Sequence, residues 1–249
     1  MGILSHAKRA INSALLKVGH RIDFDAIIPQ TEHLVRHLER ARLAPATIFD
    51  IGVADGTQWI YNAWPDASYF LFDPTPQSLP HMQALAKSLK ATVVNKALGD
   101  VGGTVKLHVR PDHSGSSLYD EVGRVIVSET RPVEMARFDE VVPADFQRPA
   151  LAKIDVQGAE MRVLKGMGRL LQTIDCVVVE TSLMATLKGG PEFIEVVTIM
   201  KENGLVLFDI IGVLRRPLDN AICTIDAVFV QEDSPLRRDR RWAVNEAGA

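Results

Sequence analysis

Thr47-Ile48-Phe49-Asp50-Ile51-Gly52-Val53-Ala54-Asp55-Gly56-Thr57 is the stretch from which the rest of the chain can be read. The apolar run from Ile48 to Ile51 meets two glycines and then a polar-started helical pattern, which predicts a buried strand turning sharply into a helix. Gly52 and Gly56 let the backbone turn tightly and approach a ligand, and the N–H groups of the following helix can receive a carboxylate or phosphate. A connection that binds nothing also uses glycines, so the turn alone does not decide. The next strand adds weight. Ser68-Tyr69-Phe70-Leu71-Phe72 ends at Asp73, roughly 20 residues past Gly52, where a nucleotide-binding α/β unit places the acid that accepts hydrogen bonds from ribose hydroxyls.

A dinucleotide site wants Gly-x-Gly-x-x-Gly, and here the second position is Ala54 and the third Thr57. That weakens an NAD-type reading. Asp50-x-Gly52-x-Ala54-x-Gly56 instead resembles the first motif of S-adenosylmethionine-dependent methyltransferases of the Rossmann-like class. The resemblance implies a ligand with a methionine carboxylate and no phosphate, held at Asp50, Gly52, Ala54, Gly56 and Thr57.

With 249 residues and 47% apolar content, the chain can bury a substantial core and suits one domain with an appendage. The expected division is an N-terminal helical extension over residues 1–44, the α/β domain over 45–231 and a basic tail over 232–249. A net charge of -3 and a pI near 6.2 argue against a nucleic-acid backbone as partner. Cys176 and Cys223 each lie in an apolar run, so free buried thiols and a cytoplasmic setting are expected. No apolar run approaches the ~18 residues of a membrane span.

In the first stretch, Ile3, Leu4, Ala7, Ile11 and Leu15 recur at helical spacing against Lys8, Arg9 and Lys17. A membrane surface is one use of such a face; packing on the domain or on a second subunit is the reading taken, giving a homo-oligomer through these helices. The charges interrupt any signal-peptide core, and His6 stands where an acylation signal needs Ser or Thr. His33 and His37 lie one turn apart but among Glu32, Arg36, Glu39 and Arg40, which predicts a solvated face without a metal.

From Ile48 onward strands and helices alternate, predicting a parallel sheet with ligands at the carboxyl ends of its strands. A helix through Leu79, Met82, Leu85 and Leu89 leads to Thr92-Val93-Val94, and Asn95 at its end is the candidate to meet adenine, or only a turn residue. Residues 104–109 and 124–133 then alternate as an inserted hairpin whose loop holds His113, Ser114, Ser116 and Ser117, and His113 reads as a surface residue or a base. Next, Lys153 and Asp155 stand two apart on one side of a strand that passes through Gly158 into a helix over residues 161–171. A lysine in an apolar strand needs a partner, and Asp155 or Glu180 can serve. Residues 175–181 form a central strand and a helix covers residues 191–202. Residues 204–210 and 221–230 are too closely connected for a crossover and must pair antiparallel. The tail from Arg237 to Trp242 is basic and reads as a solvated end.

Asp50-Ile51-Gly52 with Gly56, Phe72-Asp73-Pro74, Asn95-x-Ala97-Leu98-Gly99-Asp100, Ser116-Ser117-Leu118, Phe138-Asp139, and Lys153-Ile154-Asp155-Val156-Gln157-Gly158-Ala159-Glu160 with Val163-Leu164-Lys165-Gly166 resemble the FkbM family of methyltransferases, in family order. The resemblance implies an α/β, Rossmann-like class I methyltransferase fold: a mostly parallel seven-stranded sheet ending in an antiparallel hairpin. It also implies O-methylation of a sugar, glycan or related small-molecule hydroxyl, with Pro74, Ala97 and Ser117 joining the donor site. Ala54, Asp73 and Gln157 depart from the family's usual Asn, Glu and Glu, and Gln157 removes a charge from the acceptor pocket. Asp155 is the expected proton acceptor, Lys153 its orienter or an oxyanion stabiliser, and Glu180 a shaper of the pocket. A divalent metal on Asp155 and Glu180 stays open. Two other classes remain, an NAD-linked oxidoreductase and a non-catalytic adenosyl-binding or scaffolding protein.

Overall fold

Strand β1 (Thr47–Ile51) is buried at every position because its apolar side chains meet layers of helix on both faces. In the computed structural model, which describes residues 30–110, 115–123 and 129–242, β1 pairs in parallel with β2 (Ser68–Phe72) and β7 (Ala150–Ile154). The sheet continues through β3 (Lys90–Val94) on one side and β8 (Cys176–Ser182), β10 (Ile222–Gln231) and β9 (Leu205–Arg215) on the other, in the order β3-β2-β1-β7-β8-β10-β9. β10 runs antiparallel to both of its neighbours, as its short link to β9 requires. The mostly parallel seven-stranded sheet with a C-terminal antiparallel hairpin, expected from the sequence, is the one found.

Helices α1 (Gln30–Arg40), α2 (Gln58–Ala63) and α3 (Ser78–Leu85) cover one face, around Trp64, Tyr69, Leu71, Met82 and Val228. Helices α4 (Phe138–Val141), α5 (Glu160–Met167) and α6 (Phe193–Glu202) cover the other, around Phe49, Phe138, Leu164, Met200 and Phe229. The inserted hairpin forms as β5 (Gly103–Val109) and β6 (Glu129–Ala136), joined by the two-residue β4 (Ala97–Leu98) into a second sheet ordered β4-β6-β5.

Several boundaries differ from the expectation. The helix expected over residues 161–171 stops at Met167, where Gly168 takes φ 54° and a 3-10 turn (Gly168–Thr173) follows. α3 ends at Leu85 rather than reaching Leu89, and β9 runs on to Arg215. His33 is exposed, but His37 packs edge-on against Phe208 at 5.8 Å, so that face is not wholly solvated. Cys176 and Cys223 are free and buried. The apolar face formed by Ile3, Leu4, Ala7, Ile11 and Leu15, and His113, lie outside the described residues. Among the described residues no helix is long and apolar enough to cross a membrane.

Candidate active site

The turn after β1 is built on backbone that side chains rarely tolerate. Gly52 has φ 86° and Gly56 has φ 95°, and a Cβ on Gly52 would stand 1.8 Å from the carbonyl oxygen of Asp155. Ala54 is itself in the left-handed region at φ 43°, and its N–H donates to Asp73 Oδ2 at 2.9 Å. Asp73 Oδ1 accepts from Thr75 N at 2.8 Å and from Thr75 Oγ1 at 2.6 Å. The carboxylate at the end of β2 therefore ties two loops together and keeps one lone pair of Oδ2 for a ligand hydroxyl. A cavity of about 510 Å³ opens above this turn, lined also by Thr57, Pro74, Ala97 and Trp59, and running on to Lys153, Asp155, Gln157, Glu180 and Asp226.

The far end of the cavity is charged. Lys153 is buried on β7, and its Nζ donates to Asp155 Oδ2 at 2.6 Å. Gln157 Nε2 donates both to Asp155 Oδ1 at 2.8 Å and to Glu180 Oε2 at 2.6 Å, so one amide bridges two carboxyl groups. Gln157 reaches them from a turn held at φ 49°, followed by Gly158 at φ 95°. Burial pushes the Asp155 carboxyl up, but the Lys153 ammonium beside it, with hydrogen bonds from Glu180, Lys153 and Gln157, outweighs this and holds it below the usual carboxylate range. Burial, then the Asp155 charge, push Glu180 far above that range. At neutral pH the pair holds one proton, on Glu180. Burial disfavours the Lys153 charge, yet Asp155, Asp50 and Asp226 together raise its pKa and keep it protonated.

Asp50, Asn95 and Ser117, expected at the donor site, brace the loops that border the cavity. Asp50, fully buried within β1, accepts hydrogen bonds from Thr57 Oγ1 at 3.1 Å and from the Tyr61 hydroxyl, which fixes the start of α2. Burial, against the pull of Lys153, raises its pKa to about 6. Asn95 does not line the cavity. Its side-chain amide donates to the carbonyls of Asp73 at 2.7 Å and Thr75 at 3.2 Å, clamping the loop after β2. Ser117 is buried and donates to the Gln157 carbonyl at 2.6 Å, while its neighbour Ser116 faces the cavity. Gly52, Ala54, Gly56, Thr57, Asp73, Pro74, Ala97, Lys153, Asp155 and Glu180 do line it.

Asp226 escaped the sequence reading although its signal was of the same kind as that of Lys153, a charge inside an apolar strand. Gln157 was noticed only as a lost charge, and its bridging role needs coordinates to see. Among the described residues no three His, Cys, Asp or Glu side chains come together in a way that could hold a metal ion.

The model of the FkbM methyltransferase domain matches residues 50–207. The hexuronic acid methyltransferase AglP of Haloferax volcanii is 25% identical over 136 residues, covering 53% of this chain and 54% of that protein. The chain thus spans about half the length of that curated relative. The structure is similar to magnesium protoporphyrin IX methyltransferase (ChlM) from Synechocystis PCC 6803 with bound SAM, at TM-score 0.43 and 11% identity over 91% of this chain and 96% of that one. It is also similar to the N-methyltransferase NodS from Bradyrhizobium japonicum WM9 in complex with S-adenosyl-L-homocysteine, at TM-score 0.43 and 12% identity over 88% and 97% of the two chains.

Proposed function

The chain belongs to the FkbM methyltransferase family, and from that premise we propose that it is an S-adenosylmethionine-dependent O-methyltransferase acting on a hydroxyl of a sugar, glycan or related small natural product. The observation that carries the reading is one continuous cavity, with the glycine turn at one end and the Lys153–Asp155 pair at the other. The Gly52–Gly56 turn gives a donor close access to backbone N–H groups, and the free lone pair of Asp73 suits a ribose hydroxyl. The printed name of AglP, a hexuronic acid methyltransferase, supports a sugar as acceptor.

When bound, the donor supplies a methyl group on a sulfonium sulfur, open to attack by an acceptor oxygen. The protein's part is to hold that oxygen close and collinear, and to take its proton. Asp155 is ionised, stands at the carboxyl end of β7, and is fixed by Lys153 on one oxygen and Gln157 on the other. With Glu180 also hydrogen-bonded to it, the carboxylate keeps one of its about four lone-pair sites for an acceptor hydroxyl. Lys153 orients this base and offsets negative charge growing on the acceptor oxygen. Glu180, protonated and bridged through Gln157, shapes the wall beside it.

Asp155→Asn is the test. Turnover should fall roughly 10²–10⁴-fold, the usual worth of a general base, with donor affinity little changed. Single-turnover methyl transfer at the wild-type rate in the folded variant would remove Asp155 from the chemistry. A raised donor dissociation constant with an unchanged rate would move it to the donor site.

A further inference from the structure

Residues 115–123, between β5 and β6, reach from the second sheet to the turn after β7 and the loop after β8, and they are tied down on both sides. On one side Ser117 exchanges two backbone hydrogen bonds with His108 of β5, at 2.8 and 3.0 Å. On the other, Val122 N donates to the Thr186 carbonyl and Lys188 N to the Asp120 carbonyl, both at 2.8 Å, around an antiparallel bridge between Glu121 and Leu187. The turn after β7 is clasped between these ties. Gly158 sits there at φ 95°, and a Cβ on it would stand 2.6 Å from Leu187 Cδ1 and 3.3 Å from Tyr119 Cδ2.

Ser117 is buried, and its single hydroxyl proton goes to the Gln157 carbonyl at 2.6 Å while its oxygen accepts from Tyr119 N at 3.0 Å. It is not itself in the cavity wall, which its neighbours Ser116 and Leu118 form. Gln157 takes φ 49°, left-handed backbone that a residue with a side chain leaves readily unless its surroundings hold it. The side-chain amide of the same residue uses both of its N–H groups, one on Asp155 Oδ1 and one on Glu180 Oε2. Turning this backbone would carry the amide off both carboxyl groups together.

We propose that Ser117 is a positioning residue of the methyl-transfer site: by fixing the Gln157 carbonyl it fixes the amide that aligns Asp155, without touching donor or acceptor. The inserted hairpin then sets the alignment of the base as well as walling the cavity. The effect on rate rests on the methyl-transfer reading above, while the link from Ser117 to Gln157 can be measured without it.

The test uses the full chain, with S-adenosylhomocysteine binding measured first by calorimetry. The Gln157 side-chain amide is identified by NMR as the signal lost in Gln157→Met, and its engaged protons should exchange slowly with water. Ser117→Ala should speed that exchange roughly tenfold with donor-site affinity near wild type, and Ser117→Thr, which keeps the hydroxyl, should restore it. Ser117→Cys, of similar size but a weak donor, gives the same readout if Ser117→Ala does not fold. Methyl transfer from labelled S-adenosylmethionine to a panel of p-nitrophenyl glycosides should lose about tenfold in kcat in Ser117→Ala, with acceptor KM little changed. The double variant Ser117→Ala/Gln157→Met should be no slower than Gln157→Met, because one residue acts through the other. Exchange unchanged in folded Ser117→Ala, exchange as fast in folded Ser117→Thr, or losses that multiply in the double variant overturn the proposal. If S-adenosylhomocysteine binds but no glycoside is methylated, the sugar-acceptor reading falls and the exchange measurement alone decides this proposal. Absence of S-adenosylhomocysteine binding strikes the methyl-transfer reading and takes the positioning role with it.

Discussion

Asp73 illustrates how one side chain can serve a ligand and its own loop together. Its carboxylate accepts from Ala54 N, Thr75 N and Thr75 Oγ1 while it lines the cavity, so it latches the glycine turn and faces the space above it. Asp73→Ala should weaken donor binding by more than tenfold, since losing a charged acceptor costs about 1.5–3 kcal/mol. It should also lower the melting temperature, because the turn loses its latch. Calorimetry with unchanged affinity in the folded variant would take Asp73 out of the site. Glu160 allows a test of a different kind. It is buried at 4% exposure in the first turn of α5, its Oε1 accepts from Gly158 N at 2.8 Å, and burial raises its pKa from 4.5 to about 7. A proton held more tightly in the folded state means stability that is full below pH 4.5 and falls as the pH rises towards 7. The loss is on the order of 3 kcal/mol. Glu160→Gln keeps the acceptor oxygen and removes the ionisation, so denaturation curves should show a flatter pH dependence and a more stable protein at pH 8. Asp50, raised to about 6, leaves a residual slope in the same direction.

At the scale of elements, the strand–turn–helix unit decides what the site can do. Gly52 sits at φ 86° against the Asp155 carbonyl, so the turn after β1 and the turn after β7 are packed backbone to backbone. Gly52→Ala should cost roughly 3 kcal/mol or more, through left-handed strain and the clash, and should abolish donor binding. Denaturant titration and calorimetry on the same variant measure both. The sequence made this unit legible because an apolar run, two glycines and a helical pattern follow one another without interruption. β4 was not legible, since two residues carry no periodicity and its pairing with β6 depends on a partner over 30 positions away. Asp50, Asn95 and Ser117 are legible as residues at the carboxyl-end edge of the sheet, whereas their hydrogen-bond partners within the protein are not. Position along a strand fixes which end a residue occupies, while the direction of a polar side chain depends on which buried N–H or C=O needs it. The same limit hid Asp226, whose meaning comes from standing opposite Glu180.

At the scale of the whole molecule, β9 is a terminal strand of the sheet among the described residues, and α1 packs against part of it. Leu34 and Leu38 are fully buried and His37 packs on Phe208 of β9, so α1 is built into the same core as the strands. Farther along, Val213 and Leu214 on β9 and Leu218 in the hairpin loop remain more than half exposed. Edge strands with apolar side chains invite pairing, and the apolar face of Ile3, Leu4, Ala7, Ile11 and Leu15 lies just upstream of α1 in the sequence. Two deletions separate the roles. Removing residues 1–28 should leave melting temperature and donor affinity near wild type but change the mass measured by light scattering, if this segment joins subunits. Removing residues 1–41 takes away Leu34 and Leu38 as well, and truncating a buried leucine costs about 2–5 kcal/mol each. That second deletion should therefore lower the melting temperature sharply. An unchanged mass after the first deletion would assign the upstream face to the protein's own surface and leave the β9 edge to be covered by something else.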